Sequence, residues 1–394
     1  MTDAPSVGEL VLPDRTLMGP GPSEVHPRVL RAMTTPMVGY LDPSYVEVMN
    51  DVQELLRYTF RTDNEVTFPV SGTGTAAMEA AFANLVEPGD TALVPNNGYF
   101  GHRMGEIVER AGGEVATVDA PWGKPLDPND VAAAIAEHVP DIFGFVHGET
   151  STGVKQPAIP ELTDIAHDHD ALVIADTVAS LGGVEFRTDE WDVDVVYSGS
   201  QKCLSAPPGA SPITLNEAAM EKVRKREEPP RSWYLDLSLV EHYWNEERDY
   251  HHTGPMTNVY ALREALRLVA EEGIEERWAR HRRVAGALVS GVEAMGLELL
   301  PEEDFWLPSL NAVRVPEGVD DAAVIDHLLS EYDIEIVGGL GDLSGEIFRI
   351  GAMGYSARAE TVSYLLSALG ETLDAAGADV DREAGLAAAS RKVS

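Results

Sequence analysis

Between about residue 66 and residue 215 the chain alternates short apolar runs with amphipathic ones, and this alternation restricts the fold more than any other feature. The apolar runs cover 66–70, 91–95, 114–118, 142–146, 171–175 and 193–197, and helical periodicity fills the intervals at 76–86, 100–111, 128–138 and 160–167. Strands that return through helices at this spacing predict an α/β domain with a large, mostly parallel sheet covered on both faces. Ligands of such sheets sit at the carboxyl ends of the strands. After a helix at 259–271 the order changes to helix, strand, strand, helix at 282–295, 297–300, 311–315 and 321–330. Strands at 334–337 and 347–350 then flank the turn Gly338-Gly-Leu-Gly341, and a last helix runs over 359–375. The pattern predicts an arm at 1–17, a large domain at 18–272, a smaller α+β C-terminal domain at 273–377 and a weakly held tail at 378–394.

The 394 residues, 44% of them hydrophobic, suffice for two cores. Against 29 Lys and Arg stand 66 Asp and Glu, a formal net charge of −37 spread along the whole chain. That field argues against nucleic acid or an anionic membrane as partner. It predicts a salt-adapted cytosol, where high ionic strength screens the self-repulsion. The single cysteine, Cys203, rules out an intrachain disulfide. The opening Met-Thr-Asp-Ala-Pro lacks the basic and then apolar pattern of a secretion signal, and no run of about eighteen apolar residues exists. The expected location is cytoplasmic.

Three segments carry recognisable chemistry. Val70-Ser-Gly-Thr-Gly-Thr75 joins an apolar run to a helix through small residues and hydroxyls, which suits a phosphate cup and equally suits a plain helix N-cap. Without a following Gly-Lys-Ser/Thr it is not a Walker loop. Asp176 follows Leu172-Val-Ile-Ala175 at a strand end, where its carboxylate can pair with a pyridine nitrogen or simply cap a turn. Lys202 follows Val195-Val-Tyr197 in a polar, glycine-containing turn. Shielded from water, such an amine has a lowered pKa and can form an imine with an aldehyde; exposed, it is an ordinary surface lysine. An amine and a carboxylate at neighbouring strand ends can hold the two ends of a pyridoxal phosphate ring.

The ordered set of motifs reaches further. Gly19-Pro-Gly-Pro-Ser23, Ser71-Gly-Thr-Gly74, Glu87-Pro-Gly-Asp90, Asn97-Gly-Tyr-Phe-Gly101, His147-Gly-Glu-Thr-Ser-Thr-Gly153, Asp176-Thr-Val-Ala-Ser-Leu-Gly-Gly183, Ser198-Gly-Ser-Gln-Lys202, Tyr250-His-His-Thr253 and Phe348-Arg-Ile-Gly351 run across nearly the whole chain. Together they resemble the class V, fold-type I pyridoxal-phosphate aminotransferases, within them the alanine–glyoxylate and serine–pyruvate group. The resemblance implies a Schiff base at Lys202, with Asp176 on the pyridine nitrogen. It assigns Thr73, Gly74, Thr75 and Gln201 to the phosphate, Phe100 to the ring face and Ser151 to the side of the phenolic oxygen. Tyr250 and Thr253 would reach the cofactor of a neighbouring subunit, implying a homodimer with shared sites, and Arg349 would grip the α-carboxylate of amino-acid and 2-oxo-acid substrates. Thr75 stands where some members carry histidine, and Phe100 where others carry tryptophan.

The implied activity is transfer of an amino group from a small L-amino acid, alanine or serine, to glyoxylate or pyruvate with ping-pong kinetics. Aspartate is the alternative donor, although the sequence locates no second cation for its side chain. Ureidoglycine or aminoethylphosphonate donors stand behind it. Cysteine desulfuration asks for a thiol on a mobile loop, whereas Cys203 adjoins the lysine. A cofactor-sensing regulator asks for a DNA-reading helix pair and a basic patch, which this acidic chain lacks. Metal chemistry is not expected: His251 and His252 are adjacent and on an extended strand would face opposite sides. His147 and Glu149 are expected in structural roles near the site.

Overall fold

The computed structural model describes residues 4–393. Seven strands form the central sheet: β1 (Val66–Gly72), β2 (Thr91–Asn96), β3 (Glu114–Asp119), β4 (Ile142–Val146), β5 (Leu172–Asp176), β6 (Val195–Tyr197) and β7 (Gly209–Leu215). Their spatial order is β1-β7-β6-β5-β4-β2-β3. All neighbours are parallel except β7, which runs antiparallel to β1 and β6. β7 escapes the apolar-run reading because Pro212 interrupts it. In the sheet Pro212 stands opposite Pro69 without a ladder bond between them, and its carbonyl accepts from Ser198 N at 2.8 Å, just past the end of β6.

Helices cover the sheet because their apolar stripes need a face to bury. Two of them are begun by an aspartate followed by proline: Asp42 accepts from Ser44 N and Asp127 from Asn129 N, each at 2.8 Å. The aspartate satisfies an amide that the first turn leaves open, while the proline gives up one that has no partner there anyway. The apolar side chains gather into two large cores and a small cluster of Ala179, Val184, Cys203, Leu307, Leu310 and Met353. One large core holds the sheet and its helices from Val29 to Trp278. The other joins Met18 to residues between Val284 and Ala389. A three-stranded antiparallel sheet, β8 (Leu310–Arg314), β9 (Val337–Gly338) and β10 (Ile347–Gly351), lies in the second region in the order β8-β10-β9.

Several boundaries differ from the sequence reading. The expected strand at 297–300 is reduced to a single bridge, Leu299 to Val313. The helix expected from 282 begins at Ile274, directly after Gly273, because the charged run that follows the glycine hides its apolar stripe. Residues 382–393 form a helix rather than a loose tail. That segment offers alanine and glycine instead of an apolar stripe, and it packs by close approach. A Cβ on Gly385 would lie 2.8 Å from the Gly291 carbonyl, and one on Gly291 would lie 3.4 Å from Ala389 Cβ. Among the described residues no helix is long and apolar enough to cross a membrane.

Candidate active site

The carboxyl ends of β1, β4, β5 and β6 lie along one edge, and pairing fixes Val146 beside Asp176 and Asp176 beside Tyr197. From β1 the chain turns through Thr73 into the helix Gly74–Leu85, which has no side-chain cap and no acid in its first turn. Its leading amides and positive dipole end are therefore open to an anion. One cavity at this edge is lined by Thr73, Gly74, Thr75, Phe100, Asp176, Gln201 and Lys202, with Arg103, Gly148 and Thr150 beside them. Seven of the residues named from the sequence thus converge.

Lys202 is clasped by the chain's first motif. A Cβ on Gly21 would lie 2.5 Å from Lys202 Cδ and 2.7 Å from Nζ, so only glycine leaves room for the amine. Lys202 Nζ donates to the Pro20 carbonyl, and Ser23 Oγ donates to the Lys202 carbonyl at 2.7 Å. Burial pushes the amine's pKa down to about 8.

Asp176 is 3% exposed. Its carboxylate accepts from Val178 N at 2.7 Å and from Tyr197 Oη at 3.0 Å, and burial pushes its pKa up to about 7. The sign matters for stability. An unfolded aspartate ionises near pH 4, whereas the folded one holds its proton until about 7, so the cofactor-free protein loses stability as pH rises across that interval. Asp176→Asn can still accept from Val178 N and, with the Tyr197 hydroxyl turned to accept, donate to it as the neutral carboxyl does, and it removes this pH dependence. The cofactor-free variant is expected to be about 2–4 kcal/mol more stable than the parent at pH 8 and nearly equal to it at pH 4. Denaturant unfolding at both pH values in constant high salt checks this; an equal gain at both would show that the carboxyl is not the cause.

Phe100 lies in the first turn of the helix Tyr99–Ala111. Arg103, one turn on, was not singled out from the sequence, although three-residue spacing puts it on the same face. Its guanidinium lies 5.0 and 5.1 Å from the Tyr99 and Phe100 rings, and its Nη1 donates to Thr75 Oγ1 at 3.4 Å. Ser151 does not line the cavity. It is fully buried, donates to Glu149 Oε1 at 2.7 Å and accepts from Tyr99 N at 3.0 Å.

Arg349 comes from β10, 7% exposed. Its Nε donates to Gly338 O at 2.7 Å and its Nη1 to Thr150 O at 3.5 Å. Thr150 lines the cavity, so the guanidinium meets the large sheet's edge from the second core. Among the described residues no carboxylate pairs with it.

Tyr250 and Thr253 are not part of this cavity. Tyr250 is 54% exposed, with its hydroxyl 3.2 Å from Thr253 Oγ1 and its ring against Tyr40. Between them, His251 and His252 depart from the expectation of opposite faces. The segment is not a strand, and the two Nδ1 atoms lie 2.7 Å apart. His252 Nε2 lies 2.6 Å from Ser71 Oγ, a tie to the anion loop that sequence spacing does not reveal. No cluster of three metal-ligating side chains occurs among the described residues. His147 is buried against Phe186, with Nδ1 2.8 Å from Ser180 Oγ; burial lowers its pKa to about 3, so it stays neutral. Cys203 is buried among Ala179, Val184, Leu307, Leu310 and Met353, where burial raises its pKa to about 11.

The cavity suits pyridoxal phosphate on its own chemistry. It offers uncapped helix amides and hydroxyls for a phosphate and a buried carboxylate for a ring nitrogen. It adds an amine of lowered pKa for an aldehyde. Gln201 Oε1 is buried without a hydrogen-bond partner, an unmet polar group of the kind a cavity ligand satisfies.

Comparison with known proteins gives concordant findings. The sequence pattern described as aminotransferase class-V matches residues 24–359. The chain is 43% identical over 379 residues to the (S)-ureidoglycine–glyoxylate transaminase of Bacillus subtilis, covering 92% of this chain and 91% of that protein. It is 42% identical over 368 residues to the alanine–glyoxylate aminotransferase of Drosophila melanogaster, covering 92% and 93%. Among solved structures, a ureidoglycine–glyoxylate aminotransferase from Bacillus subtilis superimposes with a TM-score of 0.96 at 44% identity, covering 98% of this chain and all of that one.

Proposed function

The chain belongs to the aminotransferase class-V family and is a pyridoxal-phosphate enzyme, and from that premise we propose that it moves the amino group of a small L-amino acid, alanine or serine, to glyoxylate or pyruvate. The observation that carries this reading is Arg349, a buried guanidinium with no carboxylate partner among the described residues, whose Nη1 reaches the carbonyl of Thr150, a residue that lines the cavity with Lys202 and Asp176. Its fork suits the carboxylate common to amino acids and 2-oxo acids.

Thr73, Gly74, Thr75 and Gln201 would hold the phosphate, with Arg103 as a further cation beside them. Asp176 would hold the ring nitrogen, Phe100 the ring face and Lys202 the aldehyde carbon. When bound, the cofactor supplies an electron sink that acidifies the substrate's Cα–H. Arg349 orients the substrate by its carboxylate. Once the substrate's amine has displaced it, the Lys202 Nζ would take the Cα proton and hand it to the carbon it had held, a task suited to a base whose pKa lies near working pH.

Glyoxylate as acceptor is supported by the names of both curated relatives, and glycine would then be the product. The 43% identity to a ureidoglycine enzyme supports ureidoglycine as a second donor reading. Aspartate is less favoured, since Arg103, the other cation lining the cavity, leans on two aromatic rings at the anion loop. The proposal extends to a homodimer in a salt-adapted cytosol. Supporting it, Tyr250 and Thr253 sit outside their own cavity, and Val7, Leu10, Val11 and Leu12 form an exposed apolar arm.

The test takes the purified protein in high salt, loaded with pyridoxal phosphate. It measures the change of the cofactor's absorbance with L-alanine, L-serine, L-aspartate or ureidoglycine, its reversal by glyoxylate, and the sedimentation mass of the same sample. Conversion by alanine or serine, reversal by glyoxylate and a mass of two chains are expected. Absorbance indifferent to alanine and serine but responsive to ureidoglycine moves the assignment to that donor; a single-chain mass ends the shared-site reading.

A further inference from the structure

The helix Tyr99–Ala111 begins at Gly98, which has no side chain to cap it. Its first amides are met instead by a distant segment, the hairpin of Gly148–Glu149 and Val154–Lys155. Glu149 is 1% exposed. Its Oε2 accepts from Phe100 N at 3.0 Å, and its Oε1 accepts from Ser151 N at 2.8 Å and Ser151 Oγ at 2.7 Å. Ser151 Oγ in turn accepts from Tyr99 N at 3.0 Å. One carboxylate therefore uses both oxygens to lock together two segments 50 residues apart in sequence, each of which presents a residue at the cofactor cavity: Phe100 and, within the hairpin turn, Thr150. The approach is tight from the other side too. A Cβ on Gly98 would lie 2.4 Å from Glu149 Cγ and 2.7 Å from Oε2.

We propose that Glu149 is a positioning residue for the transamination: its carboxylate fixes the start of the Phe100 helix to the turn that carries Thr150 and Ser151, so that the ring face and the Arg349-bearing contact at Thr150 are presented as one rigid unit. This rests on the reading of the cavity as the pyridoxal phosphate site. The rest of the helix does not depend on Glu149, because Met104, Ile107 and Val108 bury its apolar face. The predicted effect is therefore on placement and not on folding. Three donors converge on two carboxylate oxygens, and a glutamine has only one oxygen to offer them, with its NH2 set against an N–H. An aspartate keeps the charge but falls one methylene short.

The test compares the parent with Glu149→Gln, Glu149→Asp and Gly98→Ala, the last of which displaces the carboxylate without altering it. In the cofactor-free proteins, hydrogen exchange at the Tyr99, Phe100 and Ser151 amides is expected to quicken about tenfold or more, while the amides of the helix's later turns are unchanged. In the loaded enzymes kcat is expected to fall about 10²-fold, with a smaller change in KM and an altered visible circular dichroism of the bound cofactor. Unchanged exchange, or full turnover in Glu149→Gln, overturns the proposal. Full turnover in Glu149→Asp also overturns it, because charge and not reach would then be what matters. A parent protein without aminotransferase activity would instead sink the functional reading, and the exchange measurement would still decide whether the clamp exists.

Discussion

Lys202→Ala is expected to leave a folded protein that still takes up pyridoxal phosphate and loses amino transfer by about 10⁴-fold or more. The lysine's backbone carbonyl is held by Ser23, a contact that alanine keeps, so the turn survives the substitution. What disappears is the amine that Gly21 makes room for and that Pro20 O orients. No other amine lines the cavity to replace it as acceptor of the Cα proton. Single-turnover measurement with each amino donor checks the loss, and added methylamine should restore part of the rate. A variant with the parent's turnover would remove Lys202 from the mechanism. The lowered pKa adds a pH signature. Below about 8 the amine is mostly charged and cannot attack an aldehyde, so cofactor uptake by the cofactor-free parent should quicken with rising pH and level off above about 8.

Arg349→Lys carries the second large effect. Nε of the arginine is committed to Gly338 O, which sets the plane of the guanidinium, and Nη1 makes only a long contact to Thr150 O, so the Nη groups remain available to a carboxylate. A lysine has neither the plane nor the fork, and it would leave Gly338 O and Thr150 O with a single point charge to share. Losing one partner of a buried charge-assisted pair costs about 2–5 kcal/mol, which is about 30-fold to 4,000-fold in kcat/KM, for amino donors and oxo-acid acceptors alike. Cofactor absorbance and affinity should not change. The parent should strongly prefer alanine to its amide, and in the variant that preference should collapse. If it survives, the carboxylate is held elsewhere.

The sheet was legible because most of its strands are apolar runs between helical stretches, a pattern that a strand buried on both faces imposes on its own sequence, while β3 at the edge alternates buried and exposed residues. β7 was not, since Pro212 interrupts its run, and the proline is acceptable there because its bonding side faces Ser198, just past the end of β6. The terminal helix 382–393 was missed for a related reason. Its alanines and glycine make sense only against Gly291 and Met295 of another helix. In the site, Lys202, Asp176 and the Thr73–Thr75 turn could be named because each sits at the end of a strand that sequence identifies.

What the sequence by itself determined, then, is the residue chemistry and the order of elements: an amine, a carboxylate and a hydroxyl-rich loop, each following an apolar run, because such short-range patterns are written within a few residues. Only the tertiary structure decided which groups meet. The fit of Lys202 over Gly21, the Arg103 contact with Thr75, the Ser71 tie to His252 and the Glu149 bridge to Phe100 and Ser151 are mostly contacts between segments far apart in sequence. They arise when the sheet's register and the packing of two cores bring those segments together. Side-chain distances of that kind follow from three-dimensional closure and leave no periodicity for a linear reading to find.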